Sequence, residues 1–239
     1  MHRPLLSLAL FVSLLPAQGV VVRRRVVATG GGSSISYING AAFTSGNANS
    51  VSFSVSYSPA AGRQLAICVV NSNVGAADTV ASVHDQNNNA ATFVAGVTRN
   101  GTVRAELWQM TAVPGATSFT ATLTTQIHNS VGIAVEEYSN MVHVGTNATN
   151  SGTGTAPTVS RSTQDTNNVV TACMGVRSGV VVTANVGNLR HSSYNTGTDY
   201  ITLAVTDNTS GSPATVVNTV GTTDGSDQWA AVAMELRTQ

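Results

Sequence analysis

The chain contains no lysine. Charge of either sign is scarce: 11 arginines balance 11 carboxylates across 239 residues, for a net charge of zero. Such a chain has no overall field to draw in nucleic acid. Aromatic residues make up only 5% of the sequence, and residues of the Glu/Lys/Leu helix-forming type are few. No window repeats its apolar residues every 3.6 positions over any length, which excludes a long helix outside the N-terminal segment. Cysteine occurs twice, as Cys68 and Cys173. No His or Cys has metal-ligand spacing to another, and no G-x-S-x-G elbow is present.

What is abundant is Gly, Ser, Thr, Asn, Val and Ala. A hydrophobic content of 42% suffices for a core, and with few aromatics that core must be built from small and β-branched side chains, as stacked sheets allow. The first residues look like an export signal. Met1-His2-Arg3 is a short basic start, residues 5–15 are apolar, and Ala17-Gln18-Gly19 places small residues where a signal peptidase reads them. Cleavage is expected after Gly19. An uncleaved anchor is the alternative: Val20-Val21-Val22 extends the run to about 18 residues, and Arg23-Arg24-Arg25 opposes translocation of the downstream chain. Pro16 and Gln18 interrupt the run and favour cleavage. Export makes a Cys68–Cys173 disulfide possible; the alternative is two buried thiols packing as small hydrophobes.

After a Gly/Ser-rich segment, 20–46, with a possible strand at 34–38, alternation begins. V-S-F-S-V-S-Y at 51–57 puts apolar residues on one face and serines on the other, the pattern of a half-buried strand. Residues 64–71 form a continuous apolar strand, covered on both faces. Further strands lie at 79–84, 92–98, 103–111, 118–125 and 131–138. Asn100-Gly101 marks a hairpin, and Pro114-Gly115 another turn. Residues 141–157 are a polar linker, or a crossing that adds a strand through Val142 and Val144.

The second half retraces the first, with strands at 158–163, 168–176, 180–185, 190–194, 199–205, 214–220 and 229–236. Glu137 and Glu235 fall at the same place in the closing strands. Aligning 64–71 with 168–176 sets the two cysteines one residue apart in register, on opposite faces. The pattern predicts an all-β, antiparallel, jelly-roll-like sandwich over 47–239, built from two faint repeats near 47–140 and 155–239. Two tandem sandwiches are the alternative.

Certain stretches carry a resemblance: HDQNNNAATF at 84–93, VPGATSFTATL at 113–123, IAVEEYSN at 133–140 and WAAVAMEL at 229–236. In their order the chain resembles a poorly characterised group of secreted bacterial β-sandwich modules, jelly-roll or immunoglobulin-like, from about residue 50 onward. The resemblance implies an extracellular module that accompanies carbohydrate-active or adhesive domains, and brings no catalytic residues. The chain departs from that pattern at Asn88 and Asn140, where glycine is expected, and at Glu235-Leu236.

Few residues suggest chemistry. Asp85-Gln86-Asn87-Asn88-Asn89 alternates oxygen ligands as a calcium loop does, but Ala90 and Gly96 stand where such a loop needs glycine and a closing acid, so an Asx-rich turn is the plainer reading. Glu136 and Glu137 are adjacent on a strand and must point to opposite faces, one of them toward solvent. His84, His128, His143 and His191 read as surface residues. Trp229 begins a strand and plugs the edge of the core. Trp108 with Gln109, and Tyr194 with Asn195, could stack on and hydrogen-bond a sugar ring. The sequence therefore favours a non-enzymatic structural or adhesive module, secreted or at the cell surface, with extracellular glycans or surface proteins as partners. A carbohydrate-binding module is second and a secreted hydrolase third. The mature protein is expected to begin at Val20, which N-terminal sequencing of secreted material checks; retention of Met1 would establish the anchor.

Overall fold

A computed structural model describes residues 34–48, 50–73, 75–125, 129–195, 200–209, 213–222 and 227–238. The expected signal segment, the Arg23-Arg24-Arg25 cluster, His2 and His128 lie outside the described residues. From Gly32 onward the chain forms one compact unit. Among the described residues there is no helix.

Alternation creates the outer layers. β2 (Ser52–Ser56) and β7 (Ser118–Leu123) bury Phe53, Val55, Phe119, Ala121 and Leu123 on one face and put hydroxyls on the other. They pair with β4 (Val80–Asp85) in the order β2-β7-β4, here sheet B. Ser54 and Thr120 bond across the strands at 2.7 Å, and Ser52 and Thr122 at 3.1 Å. β10 (Thr158–Ser162), β15 (Thr215–Thr222) and β12 (Val182–Val186) make a second small sheet, D, in the order β10-β15-β12. Its rungs are Thr158–Thr219 and Ser162–Thr215, at 2.8 and 3.1 Å.

Continuous apolar runs create the inner layers. β3 (Gln64–Ser72) and β11 (Val169–Val176) are the middle strands of two five-stranded antiparallel sheets. Sheet A runs β1-β8-β3-β6-β5, adding β1 (Ser36–Ala48), β8 (Asn129–Ser139), β6 (Val103–Thr111) and β5 (Thr92–Arg99). Sheet C runs β13-β14-β11-β16-β9, adding β13 (Asn188–Tyr194), β14 (Thr202–Thr209), β16 (Asp227–Arg237) and β9 (His143–Gly154). The strand order of sheets C and D is that of A and B with eight added to every label.

Three apolar layers hold the four sheets. One lies between B and A, around Leu65, Ile67, Phe119, Ile133 and Val135. Another lies between C and D, around Val170, Met174, Val216, Val220 and Trp229. The third lies between A and C, and its members alternate with those of the other two along β3 and β11: Ala66, Cys68 and Val70 from one sheet meet Val169, Cys173, Leu203, Val205 and Val232 from the other. A strand covered on both faces needs apolar residues at successive positions, which is why the middles of β3, β11 and β16 are continuous apolar runs.

Several boundaries differ from the sequence reading. The sandwich begins before residue 47, because β1 runs 13 residues and pairs with β8 along its length. Residues 141–157 are mostly strand: β9 adds 12 residues to the edge of sheet C. The reading caught only the start of each, a strand at 34–38 and the alternative of one through Val142 and Val144, because the Gly, Ser, Thr and Asn that follow carry no apolar alternation. The cysteine register is also corrected. Asn168 precedes β11, so Cys68 opposite Leu107 and Ala134 matches Cys173 opposite Val205 and Val232. Both side chains point into the layer between A and C, where they form a disulfide with Cα atoms 5.2 Å apart. Asn88 and Asn140, which stand where glycine was expected, have φ of 66° and 58°; asparagine is the side chain that tolerates this left-handed region best after glycine.

The disulfide closes a loop of 105 residues. A loop of about 100 residues stabilises by about 4.7 kcal/mol through the unfolded chain's lost freedom. Urea unfolding of the Cys68→Ala/Cys173→Ala double variant should show a midpoint well below that of the parent. An unchanged midpoint would mean that the unfolded chain is already compact without the bond.

Candidate functional site

The residues singled out for a sugar platform are not brought together. Trp108 lies in the layer between A and B, 7% exposed, with its indole N–H donated to Glu106 Oε2 at 3.0 Å and Phe93 edge-on at 5.2 Å. Gln109 points to the other face of the same strand. Tyr194 is 43% exposed at the end of β13 in sheet C. Asn195 accepts the Ile201 N–H at 3.0 Å and so closes the loop between β13 and β14. Phe43 and Phe93 on sheet A, 39% and 47% exposed, are aromatics that sequence reasoning passed over.

The 85–89 turn is built by its own first residue. Asp85 is fully buried, and its Oδ1 accepts the N–H groups of Asn87 and Asn89 at 2.9 and 2.8 Å. Asn89 Nδ2 reaches Asp85 Oδ2 at 2.8 Å. These oxygens are engaged in holding the turn, as in an Asx turn. Gln86 then ties it to the neighbouring one, accepting from the Thr117 and Ser118 N–H groups.

The carboxylates of β8 correct another expectation. Glu136 and Glu137 do point to opposite faces, yet both are buried, because sheet A is covered on both sides. Glu137 accepts the Tyr57 hydroxyl at 2.7 Å and faces Arg63 at 3.7 Å. Glu136 faces the A–C layer, where His191 Nδ1 meets its Oε1 at 2.7 Å. His191 is thus not a surface histidine; its side chain is 23% exposed. Gly40 on β1 leaves the space the carboxylate fills, since a Cβ there would overlap Glu136 Oε2 and stand 2.9 Å from His191 Cε1.

This pair belongs to a group of ionisable residues joined between sheets A and C. Asp207 on β14, 2% exposed, accepts Arg190 Nε at 2.7 Å, Asn188 Nδ2 at 3.2 Å and the Tyr138 hydroxyl at 3.4 Å. The Arg190 guanidinium also sits 4.5 Å over the Tyr37 ring. Burial, then the Glu136 charge, pushes the Tyr37 phenol well above its ordinary range. Burial likewise raises Glu136, against the opposing pull of His191 and Tyr37. The hydrogen bond to Glu136 raises His191, with burial opposing. Chemically this is a closed set of cross-sheet pairs joining β1, β8, β13 and β14.

A separate feature opens to solvent. At one end of sheet C, where β11 stops and β14 and β16 start, Arg177, Ser178, Gly179, Val180, Tyr200 and Asp227 line a cleft of about 300 Å³. Neither the residue types nor their spacing marked it, since three separate stretches of chain contribute. No protein-family model and no curated protein matches the chain. The class defined by the fold is an antiparallel β-sandwich protein.

The titration of the cross-sheet pair sets a pH dependence. Both raised values mean that the folded protein holds protons more tightly than the unfolded chain. The histidine's contribution is complete below about pH 6.5 and the glutamate's below about pH 4.3, their unfolded values, and each is lost as pH rises through its folded value. The urea midpoint should therefore fall between pH about 6 and about 9, and Glu136→Gln should flatten the fall by removing the charge that raises His191. A parent midpoint that does not move over this range would contradict the pairing.

Proposed function

We propose that the chain is a non-enzymatic module, exported to the cell surface or the medium, with a structural or adhesive role. The observation that carries this reading is the Cys68–Cys173 disulfide in the middle of the A–C layer. Disulfides persist in oxidising compartments and are rare where glutathione keeps thiols reduced. The resemblance to secreted bacterial β-sandwich modules supports the same reading, as does the signal-like N-terminus. The role of Asp85 in its turn and of Asp207 and Glu136 in cross-sheet pairs also fits a body whose charges serve its own cohesion. Extracellular glycans or other surface proteins would be its partners. Carbohydrate binding is the second reading, favoured by the open cleft at Tyr200. A hydrolase has least support, since Glu136 and Glu137 are turned away from each other across a sheet.

Fractionation of the native host tests the proposal. The protein should be found in the medium or on the surface, and in denaturant its cysteines should resist a maleimide reagent until a reductant is added. Recovery from the cytoplasm with both thiols alkylated would overturn it.

A further inference from the structure

We propose that the cleft at the end of sheet C binds the pyranose ring of a neutral glycan. The inference stands apart from the structural role above, because it rests on side chains that contribute nothing to the disulfide-bonded layer. Its volume of about 300 Å³ is at the small end of ligand pockets, where a single sugar ring belongs.

The walls are held in place before any ligand arrives. Thr202 Oγ1 lies 2.8 and 2.9 Å from the carbonyl oxygens of Ser178 and Val180, fixing that loop to the start of β14. The Arg177 N–H donates to the Gln228 carbonyl at 2.9 Å, fixing it also to β16. Across the cleft, the Tyr200 carbonyl accepts the Ser72 hydroxyl at 2.6 Å. Gly179 sits under the Tyr200 ring: a Cβ there would come within 3.0 Å of Tyr200 Cδ1 and 2.6 Å of the Asn195 carbonyl oxygen. The ring thus approaches Gly179 at Cδ1, while the residue remains 47% exposed. A half-exposed tyrosine beside a loop already tied down by hydrogen bonds offers a ring on which the C–H face of a pyranose stacks.

The polar groups at the rim complete the match. Arg63, Arg104, Arg190 and Arg237 are each paired with a carboxylate, and Arg99 and Arg161 reach threonine hydroxyls. Among the described residues, Arg177 is the arginine whose guanidinium has no such partner. It offers a fork of N–H donors. Asp227 lines the same cleft and sets a negative charge beside that fork. A donor fork beside a half-exposed aromatic side chain suits a polyol. Charge balance between Arg177 and Asp227 disfavours a simple anion, which would meet the carboxylate.

Isotope-labelled protein should be titrated with methyl β-D-glucopyranoside, methyl α-D-mannopyranoside and methyl β-D-galactopyranoside, with sodium acetate as the anion probe. At least one glycoside should shift the amide signals of residues 177–180, Tyr200 and Asp227 saturably, with half-saturation near about 1 mM. Tyr200→Ala and Arg177→Met should each weaken that binding by about tenfold or more, and Tyr200→Phe should keep it. Both residues are partly exposed, so unchanged β3 and β11 signals will show that the variants are folded. The proposal is overturned if no glycoside moves these signals, if acetate moves them as strongly, or if a folded Tyr200→Ala variant binds as the parent does.

Discussion

Sheets A and C are each buried on both faces, and the layer they share has to be filled by side chains that also leave room for a disulfide. Packed sheets lie about 10 Å apart, and here the gap is filled mainly by Ala, Val, Leu and Cys from β3, β6, β11, β14 and β16. Every residue on these strands faces one core or another, so the polar surface of the protein is displaced onto the small sheets B and D and the edge strands. The Ser/Thr rungs of β2–β7 and β10–β15 are the consequence: those sheets need only one apolar face, and hydroxyls satisfy the other.

The shared layer has two unlike margins. By register, Gln109 on β6 holds the place in sheet A that Asp207 holds in sheet C: one lies opposite Ala66 and Thr92, the other opposite Thr171 and Asn188. Each neighbouring edge strand has a bulge at the same point, between Phe93 and Ala95 in β5 and between Leu189 and His191 in β13. At the bulge the side chains are Val94 and Ala95 on one margin, Arg190 and His191 on the other. Burying Glu136 and Asp207 against any apolar stretch would strand two charges. The polar margin therefore gives the two sheets one arrangement in which each buried carboxylate meets a cation, while the disulfide fixes the middle.

Much of this was legible in the chain. Period-two alternation located β2 and β7, the apolar runs located β3 and β11 as central strands and β16 as a closing strand, and Asn100-Gly101 located the β5–β6 hairpin, where φ is 45° and 70°. The edge strands β1 and β9 were largely illegible, since their residues become strand through hydrogen bonds to β8 and β16 and not through any pattern of their own. His191 and Glu136 lie 55 positions apart, with nothing local in either to suggest the other. The cleft at Tyr200 draws on three separate stretches of chain and could be seen only once they were assembled.

What the sequence determined by itself was the class of structure: scarce helix formers, small β-branched side chains and alternating hydroxyls can bury their apolar atoms only in stacked sheets. Tertiary structure alone decided which faces met. A strand's pattern records that a face is covered but not by what, so the stacking of A on C, the partner of each cysteine, the burial of both adjacent glutamates and the meeting of Arg177, Tyr200 and Asp227 all depend on contacts between residues far apart in the chain.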